Sequence, residues 1–132
     1  MQIQRLKAKI HRARLTACDL NYEGSLGIDQ DILDRAGILP FEKILVVNAT
    51  NGERLETYAI PAPRRSRTFL LNGAAARLGY PGDVVTIMAF AAMTPEESAG
   101  FTHTTVILDA KNHIVEEKAQ GGPAKKAPAK KK

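Results

Sequence analysis

The stretch LDRAGILPFEKILVV, residues 33–47, resembles a second stretch, AARLGYPGDVVTIM, residues 75–88. In both, a short helical pattern ends at a glycine, a turn with proline and an acidic residue follows, and an apolar strand comes next. Two related halves with many short strands and few helical residues are typical of small closed barrels. The sequence therefore predicts a mainly β, pseudo-symmetric barrel of six or seven strands with short helices.

Strand and helix patterns cover most of the chain. Strands are predicted over 3–12, 14–20, 43–49, 53–60, 67–71, 84–92, 103–108 and 113–118. Helices are predicted within 27–37, between the N-cap Asp29 and Gly37, over 74–78, and from the capping box at Thr94 to Gly100. Asp29 is the predicted N-cap of the first helix. Asn51-Gly52 is a hairpin signal, and 61–66 is expected to be a loop.

Composition indicates one domain with an extension. The 132 residues are 44% hydrophobic, so the chain can bury a core, which we assign to residues 1–120. Its single cysteine, Cys18, excludes an intramolecular disulfide and favours the cytoplasm. No apolar run is long enough to span a bilayer, so no membrane association is expected.

The net charge of +5 comes from the last twelve residues, GGPAKKAPAKKK at 121–132, which hold five lysines and no acid. Without these five, the 19 basic residues become 14, which balance the 14 acidic residues. The tail has the composition of a disordered segment. A small β-barrel DNA-binding regulator that uses this tail is an alternative function, but the neutral body makes nucleic-acid binding the less favoured prediction.

Motifs of common enzymes are missing. His11, His103 and His113 have no metal-ligand spacing with Cys18, so no metal site is predicted. The chain has no P-loop, no GxGxxG and no evident nucleophilic triad. These absences leave two classes, a binding module or an unusual catalyst.

Strand periodicity places several polar side chains on shared faces. Lys7, Lys9 and His11 project from one face of the first strand, as a solvated edge or as the lining of an anion site. Arg54 and Tyr58 are four residues apart and share a face, whereas Thr57 falls on the other.

Six segments together carry a family resemblance. They are KIHR (9–12), DLNYEGS (19–25), IDQDILDRAGI (28–38), NATNGERLETYAI (48–60), LNGAAA (71–76) and GD (82–83). With these segments the chain resembles the pyruvoyl-dependent aspartate 1-decarboxylase family. The resemblance implies a double-psi β-barrel, a homotetramer with active sites between subunits, and a covalent pyruvoyl cofactor made from the chain itself. Ser25 and Tyr58 could then come from different chains.

The implied chemistry begins at Gly24-Ser25. Removing carbon dioxide from the α-carbon leaves a carbanion, and no ordinary side chain provides an electron sink for it. The Ser25 hydroxyl would attack the Gly24 carbonyl to form an ester, and elimination would cut the chain into 1–24 and 25–132. Loss of ammonia then leaves a ketone at residue 25. Glycine suits the position before serine because it leaves the carbonyl open.

The resemblance also implies a role for each candidate site residue. Tyr58 is the catalytic proton donor, since a phenol keeps its proton at neutral pH. The implied substrate-binding residues are Arg54, Thr57, Gly73, Ala74 and Ala75. The implied supporting residues are Lys9, His11, Tyr22 and Asn72. Some family members carry tryptophan where this chain has Val47, so the pocket is expected to pack differently there.

The expected reaction is decarboxylation of L-aspartate to β-alanine, which supplies pantothenate and coenzyme A. A barrel that keeps the fold but is not catalytic is a further alternative. Such a barrel would stay uncut at Gly24-Ser25, because it would have no need of a cofactor.

Overall fold

The computed structural model describes residues 1–122, and the mainly β prediction is confirmed. The strands are β1 (Ile3–Arg14), β2 (Ala17–Asp19), β3 (Ser25–Asp29), β4 (Lys43–Asn48), β5 (Arg54–Ala62), β6 (Phe69–Asn72), β7 (Val84–Met93), β8 (Thr102–Leu108) and β9 (Ile114–Gly121). The helices are α1 (Gln30–Ala36), α2 (Pro95–Gly100) and a 3₁₀ helix (Gly73–Leu78).

The strands form one sheet in the order β2-β6-β3-β5-β4-β7-β1-β8-β9. This order is open at β2 and β9, but β1 and β2 are joined by only Leu15 and Thr16. Thr16 N–H donates to Phe69 O at 2.8 Å, and Leu15 N–H donates to Asp83 O at 2.9 Å. If β1 and β2 are counted as one continuous segment, this segment and β6, β3, β5, β4 and β7 form a closed ring of six strands. The β8–β9 hairpin lies outside this ring. A double-psi crossing of the strands stays a prediction.

The core lies inside the ring because side chains alternate along its strands. On β1, Ala8 and Ile10 are fully buried, while Lys9 between them is not. On β7, Val85 and Ile87 are buried in the same alternating way. The strands that end the two related sequence stretches, β4 and β7, pair directly in antiparallel register. The internal repeat thus builds two adjacent walls of one core.

β3 was not predicted from the sequence, which assigns no strand between Gly24 and the helix N-cap Asp29. All five of its residues are buried, so it shows no polar alternation that would indicate a strand. It lies between β5, to which it is parallel, and β6, to which it is antiparallel. The helix begins only at Gln30, with Asp29 as its N-cap as predicted.

Other boundaries also differ from the predictions: β1 continues to Arg14, and the strand predicted over 14–20 is only Ala17–Asp19. β5 continues through Pro61 to Ala62, where the sequence predicts a loop, because β3 offers a parallel partner there. The predicted strand over 67–71 begins at Phe69, since Arg67 has a left-handed φ of 54°. β9 extends to Gly121, opposite Thr102 on β8, so the predicted tail loses its first residue. Residues 123–132 of that tail lie outside the described part of the chain.

Asp29 fixes the start of α1 and the loop before β6. It is 1% exposed, and its carboxylate accepts backbone N–H bonds from Asp31 at 2.8 Å, Arg65 at 3.2 Å and Arg67 at 2.7 Å. Removing the carboxylate would leave these donors without their acceptor. Buried donors without partners are costly.

We predict that Asp29→Ala lowers the free energy of unfolding by about 2–3 kcal/mol. Denaturant melts followed by circular dichroism measure this loss. Asp34→Ala is the matched control, because that carboxylate lies at the surface and pairs with Arg64. Equal losses in the two variants would contradict the role of Asp29.

Candidate active site

Ser25 begins β3 directly opposite Asn72, the last residue of β6. Ser25 is 1% exposed and Asn72 is 0% exposed, whereas Gly24 is exposed. Asn72 Nδ2 donates to Ser25 Oγ at 3.0 Å, and Ser25 Oγ donates to Glu23 O at 3.4 Å. The hydroxyl is therefore turned back toward the preceding residues, at the boundary between core and solvent.

The turn after Asn72 packs directly against Gly24. Gly73 has a φ of 75°, and a Cβ on it would lie 2.7 Å from both Cα and N of Gly24 and 3.0 Å from Tyr22 O. Nothing lies within 4 Å of a Cβ placed on Gly24 itself. The fold thus brings together four of the predicted residues, Tyr22, Gly24, Asn72 and Gly73, around Ser25.

Tyr58 lies beside Ser25 in the same chain. β3 and β5 are parallel and their pairing begins with Leu26 opposite Ala59, so Ser25 and Tyr58 each directly precede the first paired residues. Leu26 and Ala59 are both fully buried, which turns the residues before them to the same outer face. The Tyr58 ring stacks on Phe41 with centroids 6.2 Å apart. These two candidate catalytic residues therefore lie at the same end of the β3–β5 pair.

Thr57 does not share this face. β4 and β5 pair from Arg54 to Tyr58 without a register shift, so no bulge moves Thr57 to the side of Tyr58. Ala74 and Ala75 lie in the first turn of the 3₁₀ helix, where Ala74 is exposed and Ala75 packs against the core. The structure keeps these residues next to Gly73, in a helix that packs against β5 and β6.

A second group of predicted residues lies elsewhere on the outer face of the sheet. Val47 on β4 pairs with Arg54 on β5 and with Thr86 on β7. Thr86 Oγ1 lies 3.3 Å from Nδ1 of His11, whose strand also carries Lys9. Four residues of extended β5 span about 13 Å, so Arg54 lies well away from Tyr58. The candidate residues thus form two groups in one chain. The serine group consists of Ser25 with Tyr22, Gly24, Asn72, Gly73 and Tyr58. The cationic group consists of Lys9, His11 and Arg54.

Partial burial and nearby positive charges lower the pKa of His11. Partial burial has the largest effect on His11, and the nearby charges of Lys9, Arg12 and Lys118 add to it. All four influences disfavour the imidazolium form. His11 therefore presents a neutral ring to Thr86 at neutral pH.

Two contacts of the site were missed by sequence reasoning. Thr86 faces outward on β7 by simple alternation, but nothing in the sequence connects it with His11. Phe41 is 74% exposed, and its left-handed φ of 70° places its ring over Tyr58, which the sequence does not predict.

Among residues 1–122, no cluster of three His, Cys, Asp or Glu side chains is arranged to hold a metal ion. In the same part of the chain, no helix combines the length and apolar content needed to cross a membrane.

Fold and site together define a small β-sheet protein in which a buried serine, bonded to an asparagine, directly follows an exposed glycine. The family model described as aspartate decarboxylase matches residues 1–115. The chain therefore belongs to the aspartate decarboxylase family.

Curated relatives agree with this assignment. An aspartate 1-decarboxylase of Coprothermobacter proteolyticus is 52% identical over 118 residues, which cover 89% of this chain and 97% of that protein. One of Trichormus variabilis is 53% identical over 88% of this chain and 91% of its own length. One of Salinibacter ruber is 50% identical over 86% of this chain and 78% of its own length.

We predict that Lys9→Gln raises the pKa of His11 toward its ordinary value of 6.5, because one repelling charge is lost. Proton NMR titration of the imidazole measures the change. In the parent protein the pKa of His11 is lower in the folded state than its value of 6.5 in the unfolded chain. As the pH falls through 6.5, the unfolded chain is protonated first, so the free energy of unfolding decreases.

Lys7→Gln is the control for this titration. Lys7 lies on the same strand but pairs with Glu42 at 2.7 Å, so its removal should leave the His11 pKa in place. An equal rise in both variants would show that a general change of surface charge, and not Lys9, acts on the ring.

Proposed function

We propose that the protein decarboxylates L-aspartate to β-alanine and carbon dioxide with a pyruvoyl group derived from Ser25. The observation that carries this proposal is the buried Ser25 hydroxyl, bonded to Asn72 beside the exposed Gly24. Family membership supports it, because the relatives named above are aspartate 1-decarboxylases. The product would supply pantothenate and coenzyme A in the cytoplasm.

The proposed cleavage uses groups of the chain. Ser25 Oγ attacks the Gly24 carbonyl carbon, and the C–O bond replaces the C–N bond as the hydroxyl proton passes to the released amine. Loss of the Ser25 α-proton and of the Gly24 carboxylate cuts the chain. Water then releases the nitrogen as ammonia and leaves the ketone. The bond from Asn72 restrains Oγ before the attack, and the open surroundings of Gly24 leave its carbonyl accessible.

The residues around Ser25 fit a ketone and an amine-bearing substrate. Asn72 Oδ1 is buried, and no donor in the described residues bonds to it. Such an orphaned acceptor next to the reacting position suits a hydrogen bond from a substrate amine. The pyruvoyl ketone would supply the electron sink that the decarboxylation needs. Tyr58, on the same face as Ser25, would hold its phenolic proton ready for the carbanion.

The carboxylates of aspartate require cationic partners. Arg54, with its guanidinium fork, suits a bidentate grip, and its Cα lies about 13 Å along β5 from that of Tyr58. The family resemblance implies active sites between subunits, so we place the cationic group of one subunit against the serine group of another, in a homotetramer. Leu45, Val47 and Met88 are neighbours on the outer sheet face beside the cationic group, and they give that contact an apolar surface.

Two variants test the proposed reaction through carbon dioxide release from labelled L-aspartate. Ser25→Ala should abolish both cleavage and release. Tyr58→Phe should remove turnover while leaving cleavage largely intact, because the ring, its stacking on Phe41 and the β3–β5 register are kept. Normal turnover by Tyr58→Phe would exclude Tyr58 as the proton donor. Normal turnover by Ser25→Ala would exclude the proposed function.

A glycine pair tests the contact that positions the cleavage site. Gly73→Ala should slow cleavage at least tenfold, since its Cβ would overlap Gly24 and shift the bond by a substantial part of an ångström. Gly52 has a similar φ of 81°, but a Cβ there has no neighbour within 4 Å. Gly52→Ala therefore carries the same backbone strain and should cut at the parent rate. Mass spectrometry of timed samples follows the cleavage. Equal cleavage rates in the two variants would show that the contact between Gly73 and Gly24 does not position the bond for cleavage.

A further inference from the structure

A cavity of about 400 Å³ lies at the junction of β1, β2 and the loop before β6. Its charged lining residues are Arg14, Arg67 and Lys111, with no acidic residue among the lining side chains. It lies near Phe69, which bonds to Thr16, at the opposite end of β6 from Asn72. Three residues of β6, about 10 Å, separate it from the serine group.

The three cations have no acidic partner. Within residues 1–122, none of the ion pairs involves Arg14, Arg67 or Lys111. Arg14 Nε is buried and has no hydrogen-bond partner in the same part of the chain. The nearby Asp109 carboxylate instead accepts N–H bonds from Lys111 and His113. Water does not reach this nitrogen, so a ligand in the cavity would contact the solvent-accessible parts of the three cationic side chains instead.

A buried asparagine holds this arrangement together. Asn112 is 3% exposed, its Oδ1 accepts from Arg14 N at 2.8 Å, and its Nδ2 donates to Arg14 O at 3.0 Å and to Arg67 O at 3.1 Å. Lys111 precedes it directly in the chain. Asp29 fixes the other side of Arg67 through its N–H. The backbones of all three cationic residues are thus fixed around one cavity, despite the repulsion among their charges.

We propose that this cavity binds the phosphate group of a small molecule. Two guanidinium forks and an ammonium offer more donors than a carboxylate with two oxygens can use, whereas a phosphate brings three acceptor oxygens and up to two negative charges. The volume lies within the range of small-molecule sites. The balanced charge of the body, 14 basic against 14 acidic residues outside the tail, favours a compact ligand over a nucleic-acid chain. This site is independent of the proposed decarboxylation.

Isothermal titration with pyrophosphate in phosphate-free buffer tests the proposal on the full chain. The parent protein should bind it saturably, and Lys111→Gln should weaken binding about tenfold, the worth of one charge-assisted hydrogen bond. Lys118→Gln is the control, because this exposed lysine of β9 lies outside the cavity. The five lysines of the tail are present in every variant, so they cannot produce a difference between them.

Arg14→Lys gives a second test that keeps the charge but removes the planar fork. It should also weaken pyrophosphate binding, and each variant should melt at the parent temperature without ligand. The site is excluded if pyrophosphate gives no saturable heat, or if Lys118→Gln loses as much affinity as Lys111→Gln. Binding of a single-stranded oligonucleotide that pyrophosphate does not displace would exclude a small-molecule site as well.

Discussion

The pairing of β3 with β6 is the constraint on which the candidate site depends. It sets Ser25 opposite Asn72 and buries both, and the turn that follows Asn72 then packs against Gly24. A one-residue slip in this pair would turn Ser25 away from Asn72, since side chains alternate along a strand. β3 lies between β5 and β6 and is buried along its whole length, so the ring of strands holds this register in place.

The same sheet separates the chemistry into two groups. Ser25 and Tyr58 each precede the first residue pair of the parallel strands β3 and β5, whereas Arg54 and His11 are linked across the sheet through Val47 and Thr86. A strand extends about 3.3 Å per residue, so the backbones of Arg54 and Tyr58 lie about 13 Å apart on β5. The proposed assembly of subunits would bring the serine group of one chain and the cationic group of another into one site.

Much of the fold could be predicted from alternation, turns and caps, because these are local signals. The N-cap Asp29, the hairpin at Asn51-Gly52 and the capping box at Thr94 carry their own short-range hydrogen bonds. β3 could not be predicted, because a strand buried on both faces has no alternation and its neighbours are distant in sequence. The site residues were proposed from a family resemblance, but their division into two groups depends on strand register, which no local pattern contains.

The central claim is that the buried serine after Gly24 is the precursor of a cofactor rather than a structural residue. Intact-mass analysis of the purified protein tests it most directly. The account predicts two fragments, residues 1–24 and 25–132, with a ketone in place of the amine at the start of the second. A single uncut chain that persists after prolonged warming would contradict the account and would favour a barrel that has kept the fold without the chemistry.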